Sequence, residues 1–332
     1  MSAIANLVDD SLARRFLFVT GKGGVGKTTV AALFAEHLAR AGKRVLLAET
    51  SAKEHVSQLL GRGALSTQVN ELSPGLFGVL LDADVALKEY GALVLKSERL
   101  VSALFDNALV RGFFHGAPGL KEWALLGKAW YHSTEKLPDG SPRFDVVILD
   151  APATGHGLDM LRVPKTIIEL SPPGVLRTDA ERAWAQFRDP QQSGVVVVSL
   201  PEEMPTNETL ELCDTLEHEL GLPLSAVVVN QVVPAIFDAA ERDALAAAEE
   251  PSGTDAASLA LGAGVRRAAR EQVQAASLER LAALPAPLLR LPFLTGGVDG
   301  PPAITSLLGA LAPQVQAPAA APSKNQTPSR AS

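Results

Sequence analysis

The sequence predicts an α/β fold built on a doubly wound, mostly parallel sheet with an inserted helical subdomain. Three observations carry that reading. Short runs of Val, Ile and Leu recur along the chain, helical stretches separate them, and a glycine-rich turn joins the first run to the first helix. Continuous apolar runs mark strands buried on both faces, which a parallel sheet with helices on each side produces. The strand candidates are RFLFVT (15–20), RVLLAE (44–49), LFGVLLDA (76–83), FDVVILDAP (144–152), GVVVVSLP (194–201), SAVVVNQ (225–231) and LLRLPF (288–293). Between the first two, Val30, Leu33, Phe34 and Leu38 keep helical spacing, and Gly42 stands where a helix would end, giving a compact βαβ unit. Residues 88–135 and 159–188 carry helical periodicity and predict the inserted helices. Residues 236–285, rich in Ala, Glu and Arg, predict surface helices interrupted at EEPSGTD. A domain over 15–312 thus follows a short N-terminal extension (1–14). It precedes a tail (313–332) whose lack of aromatic and large aliphatic residues predicts disorder.

With 332 residues and 47% apolar content, the chain has enough material for a substantial core. Lys and Arg number 30 against 37 Asp and Glu, so the net charge of −7 provides no basic field for nucleic acid or an anionic membrane. A single cysteine, Cys213, excludes an intrachain disulfide and any CxxC metal cluster within one chain, and it suits a cytoplasmic location. The first residues place acids where a signal peptide has its basic region, and no run of about 18 apolar residues occurs, so neither export nor a membrane span is expected.

Gly21-Lys22-Gly23-Gly24-Val25-Gly26-Lys27-Thr28 fits the phosphate-binding pattern G-x-x-x-x-G-K-[ST]. Backbone N–H groups from Gly23 to Gly26 can converge on phosphate oxygens because no bulky side chains obstruct them, and the helix that follows turns its positive end to the same place. Lys27 then reaches the β and γ phosphates, and the Thr28 hydroxyl can ligate Mg²⁺. The alternative, a tight glycine turn, has no need of the preceding strand and following helix. The pattern leaves Lys22 unexplained. In FDVVILDAP an apolar run ends in Asp150, which puts a carboxylate at the carboxyl edge of the sheet, where open α/β folds bind ligands. Asp150 is the expected magnesium partner, with a strand-end turn aspartate as the alternative.

These residues resemble a known family. GKGGVGKTT is similar to the deviant Walker A loop of nitrogenase iron proteins and septum-positioning ATPases, and DAPATGHGLDMLRVP (150–164) resembles the switch II signature of the arsenite-pump and tail-anchored-protein-targeting ATPases. APGLKEWALLG (117–127), VVVNQ (227–231) and LPFLTGGVDG (291–300) are similar to further segments of that family, so the resemblance spans about 15–310. It implies a cytoplasmic, dimeric, Mg²⁺-dependent P-loop ATPase. ATP would be bound by Gly21, Lys22, Gly23, Gly24, Val25, Gly26, Lys27, Thr28 and Thr29, with Asn230, Pro292 and Phe293 on the adenine side. Lys22, Lys27 and Asp150 would be catalytic, with Mg²⁺ at Thr28 and Asp150. The lysine at the Lys22 position crosses a dimer interface in the family to touch the partner's nucleotide. A charge arriving on closure acts there as an arginine finger does, so the resemblance implies a homodimer or a heterodimer with a related ATPase. It also implies a hydrophobic protein client.

The sequence departs from the family at several points. Ser51 stands where switch I normally places the Asp that positions the attacking water, and a hydroxyl is a poor base near neutral pH, so slow hydrolysis is expected. Glu49 or Glu54 would be the substitutes, although both read more simply as solvated charges beside a loop. The zinc-bridging and metalloid-binding cysteines of family members are absent. His115, His132 and His156 lack metal-ligand spacing; His156 belongs to the switch II resemblance, and the other two read as packing or surface residues. Apolar groups at 101–131 read as core, with client binding as the alternative. The leading expectation is an ATPase that works on a protein client. The rival is a weakly active nucleotide-binding partner subunit, and a metalloid efflux motor is a third reading.

Overall fold

The protein is described here from a computed structural model covering residues 12, 14–50, 55–95, 119–152, 154–249 and 251–316. Eight strands form one sheet in the order β3-β4-β2-β5-β1-β6-β7-β8. In chain order they are β1 (Phe16–Gly21), β2 (Val45–Glu49), β3 (Asn70–Ser73), β4 (Leu76–Leu80), β5 (Val146–Asp150), β6 (Ser193–Ser199), β7 (Leu224–Val232) and β8 (Leu288–Pro292). All neighbours pair in parallel except β3, which runs antiparallel to β4. Each of the seven apolar runs becomes a strand. β3 was not foreseen: NELS is polar and half exposed because it forms an edge, turned back onto β4 through Pro74 and Gly75.

Alternation along the strands divides the core into two layers. Leu17, Val19, Leu47, Ile148 and Val196 face one side and pack against α1 (Lys27–Arg40), α2 (Val56–Leu60) and α10 (Pro301–Gln316). Phe16, Phe18, Leu46, Leu149 and Val197 face the other side. That layer contains α4 (Leu120–Thr134), α5 (Thr154–Leu170), α6 (Val175–Arg188) and α7 (Glu203–Asp214), the last prolonged by a π-helical turn over Thr215–Leu220. Of the helices expected as an insertion, the described α4, α5 and α6 pack on the sheet. Trp123, Leu126, Met160, Ala183 and Phe187 are all buried against it, while α3 (Ala83–Leu95) packs on α4. Residues 101–118, including His115, lie outside the described residues. For Trp123 and Leu126 the core reading holds.

α8 (Ala239–Ala246) and α9 (Ala256–Ala282) flank the expected break at EEPSGTD. Both begin at aspartates that cap backbone amides, Asp238 and Asp255. At the other edge of the sheet, α10 continues to Gln316, beyond the boundary expected at 312. Gln314 accounts for the extension: its amide accepts from Arg290 N at 2.8 Å and donates to Arg290 O at 2.6 Å, completing hydrogen bonds that β8 lacks on its open side.

The crossovers place the site. From β1 the chain leaves through α1 on the first face. From β5 it leaves through α5 on the second, so the carboxyl ends of these adjacent strands flank a crevice at a topological switch point.

Candidate nucleotide site

The glycine-rich loop connects β1 to α1 across that crevice. Gly21 has φ 146°, and a Cβ there would stand 2.2 Å from the Val198 carbonyl oxygen of β6, so only glycine lets the loop leave the sheet this close to its neighbour. Gly26, with φ 95°, opens α1 from the left-handed region. Three side chains hold the loop. Lys27 Nζ donates to the Lys22 carbonyl oxygen at 3.0 Å, and Asn230 Nδ2 donates to the Val25 carbonyl oxygen at 2.9 Å. Lys22 Nζ is ion-paired with Glu208 Oε1 of α7.

Thr28 and Asp150 meet across the crevice, the hydroxyl donating to Asp150 Oδ2 at 2.6 Å. Asp150 is 4% exposed, and its Oδ1 is buried with no hydrogen-bond partner among the described residues. Burial pushes its pKa up to about 6; the Thr28 hydroxyl, the Lys27 ammonium and His55 pull in the opposite direction. Burial likewise lowers the Lys27 pKa, against the attraction of Asp150. A hydroxyl and a buried, incompletely bonded carboxylate are hard oxygen donors of the kind Mg²⁺ selects, so these residues fit that ion. Thr29 follows in the first turn of α1.

Behind Asp150, the end of β2 is fastened in two ways. The Thr50 hydroxyl donates to the Asp150 carbonyl oxygen at 2.8 Å. Glu49, in register with Asp150, is fully buried and accepts from His55 N at 3.1 Å and Val56 N at 3.4 Å. The reading of Glu49 as a solvated charge is thereby corrected. Its carboxylate is satisfied by amides that come back to it at the start of α2, a return that no local sequence pattern announces. Ser51 and Glu54 lie outside the described residues.

The expected adenine residues separate into two groups. Pro292 and Phe293 border a mainly apolar cavity of about 390 Å³ with Val232, Val233, Pro234 and Leu291. The Arg270 guanidinium sits 5.5 Å from the centre of the Phe293 ring. Asn230 instead turns its amide to the loop at Val25, and its Oδ1 accepts from Gln231 N. Gln231 itself has φ 60°, at a bulge where β7 meets β8. His132 is buried against Glu135 at 2.7 Å, His156 falls in the first turn of α5, and the Cys213 thiol is buried, which pushes its pKa up to about 12. Among the described residues no group of three or more His, Cys, Asp or Glu could hold a metal ion, and no helix is long and apolar enough to cross a membrane.

The sequence profile of the anion-transporting ATPase family matches residues 14–170 and 175–248, which include the loop, Asp150 and Asn230. The chain belongs to this family. It is an ATPase. ATPase BagA of Mycobacterium tuberculosis is 29% identical over 305 residues, 86% of this chain and 89% of that protein. An arsenical pump-driving ATPase of Acidiphilium multivorum is 31% identical over 251 residues, 70% of this chain but 42% of its own length. ATPase GET3 of Kluyveromyces lactis is 26% identical over 268 residues, 70% of this chain and 76% of that protein. Among anion-transporting ATPases, then, this chain matches some relatives nearly end to end and the pump-driving one over less than half its length.

Proposed function

We propose that this ATPase binds Mg²⁺·ATP in the crevice between β1 and β5, hydrolyses it as a dimer and couples nucleotide state to a protein client. The convergence of Lys27, Thr28 and Asp150 carries the reading. Lys27 neutralises phosphate charge, the loop amides fix the phosphate oxygens, and Thr28 and Asp150 hold the metal, directly or through its water. Bound there, Mg²⁺ would supply charge neutralisation and orientation of the phosphate chain. Pro292 and Phe293 would border the base. Lys22, in the same loop but ion-paired with Glu208 of α7, would act across an interface that the exposed Met204, one turn before Glu208, would help to form. Exposed Leu170 and Val175, at the turn between α5 and α6, are the apolar groups a client would meet.

Light scattering at several protein concentrations with Mg²⁺·ATP, Mg²⁺·ADP and neither, paired with an affinity pull-down in the same three states, tests the reading. A dimer and a captured protein specific to ATP are the expected results. Identical mass and identical captured proteins in all three states would overturn it. Ser51 favours a second reading, a weakly active nucleotide-binding partner of a related ATPase. Single-turnover hydrolysis separates the two, since only the first hydrolyses bound ATP on the timescale of client exchange. A metalloid motor draws no support from the single buried Cys213.

A further inference from the structure

Lys22 already has a partner within its own chain. We propose that Glu208 is a positioning residue for Lys22, a resting counter-ion that holds it off the interface until a second subunit's nucleotide phosphate displaces the carboxylate. This rests on the dimeric reading above and adds the residue that regulates it.

Three features support the assignment. First, the helix that carries Glu208 is fixed in place. Glu208 lies in the second turn of α7, whose start is pinned by Ser199 Oγ donating to the Pro205 carbonyl oxygen at 3.2 Å and by the Thr209 hydroxyl donating to Ser199 Oγ at 2.8 Å, with Thr206 and Thr209 both buried. Release of the pair therefore falls to the long, flexible lysine. Second, the pair is only half enclosed: the two side chains are 37% and 36% exposed. Such a pair contributes little net stability, so exchanging it for contact with a multiply charged phosphate is favourable, whereas a buried pair would resist exchange. Third, the pair is joined to the phosphate loop through the main chain, because the Lys22 carbonyl oxygen accepts from Lys27 Nζ. A phosphate entering the loop competes with that carbonyl for the Lys27 ammonium and so loosens the backbone that presents Lys22 to Glu208. Nucleotide in its own subunit would thus prepare Lys22 for release, and the partner's nucleotide would capture it.

The test begins on dilute protein without nucleotide, where the dimer plays no part. Acylation of Lys22 by an amine-reactive ester, followed by mass spectrometry, should be several-fold faster in Glu208→Gln and close to wild type in Glu208→Asp, which keeps the charge. Sedimentation with Mg²⁺·ATP should then show dimerisation about two- to five-fold tighter in Glu208→Gln, the range a surface ion pair supports. A melting temperature near that of wild type verifies that the variant is folded. Equal acylation rates in wild type and Glu208→Gln would overturn the pairing, and faster acylation with unchanged or weaker dimerisation would overturn its restraining role. Lys22→Ala in the same sedimentation experiment identifies the other failure: undiminished ATP-dependent dimerisation there would remove the dimeric role of Lys22 itself.

Discussion

The hydroxyl of Thr28 and the carboxylate of Asp150 meet at 2.6 Å, although 122 positions separate them in the chain. The contact joins the helix leaving β1 to the end of β5, and the other Asp150 oxygen is buried without a partner among the described residues. A buried carboxylate oxygen left open in this way carries a cost in the free protein.

That cost has a sign that can be measured. The Asp150 pKa rises from 3.8 to about 6 on folding, so the folded state binds this proton more tightly than the unfolded chain does. The penalty is absent below about pH 4, develops between pH 4 and 6 and is complete at neutral pH. Asp150→Asn should therefore raise nucleotide-free stability by about 1–3 kcal/mol at pH 7.5 and bring little change at pH 4. It should also lack the rise in melting temperature that Mg²⁺·ATP is expected to produce in wild type. Calorimetry across pH measures both effects, and a less stable variant at pH 7.5 would contradict the first.

If the proposed site holds the nucleotide, Lys27→Ala should weaken ATP binding by on the order of a hundredfold or more, because it removes the ammonium that would face the phosphates in a partly desolvated loop. Titration calorimetry with Mg²⁺·ATP measures this, and wild-type affinity would mean the nucleotide lies elsewhere.

At Gly26 a Cβ would come within 2.3 Å of Asn230 Nδ2, and φ is 95°. Gly26→Ala should lose ATP binding by more than about tenfold through both clash and strain, while Asn230→Ala should cost about 1–2 kcal/mol of stability by leaving the Val25 carbonyl unbonded. Combining the two removes the clash but leaves the strain, so affinity should return only in part. Full recovery in the double variant would show that backbone strain is immaterial.

Glu49→Ala strips two backbone amides of their buried acceptor and should destabilise the fold by about 2–3 kcal/mol, with Glu49→Gln losing less. Ser51→Asp should instead raise ATP turnover at least about tenfold with little change in affinity, if a water-positioning carboxylate is what the chain lacks. Steady-state hydrolysis and denaturant unfolding on the same variants separate the structural role of one residue from the chemical role of the other.

The Val-rich runs and the spacing of Val30, Leu33 and Phe34 made the sheet and first helix legible, because burial on two faces and burial on one stripe leave different periodicities. The glycine-rich strand-to-helix turn was legible because its glycines answer to backbone geometry close at hand. NELS was not, since an exposed edge strand needs no apolar pattern. Glu49 was misread because charge beside a loop suggests solvent, whereas amides from the next helix close over it. Glu208 could not be found from sequence at all: it stands 186 residues from Lys22, and only the adjacency of β6 to β1 brings them together.

The Gln314 side chain takes both hydrogen bonds of Arg290 on the open side of β8, as one residue of a ninth strand would. An uncovered edge offers another chain's strand a ladder to climb, and this protein fills one rung of its own. Cutting the chain just ahead of Gln314 would bare that rung. The first symptom should be self-association of intact, folded molecules, edge against edge, well before any loss of the glycine-rich loop at the centre of the sheet.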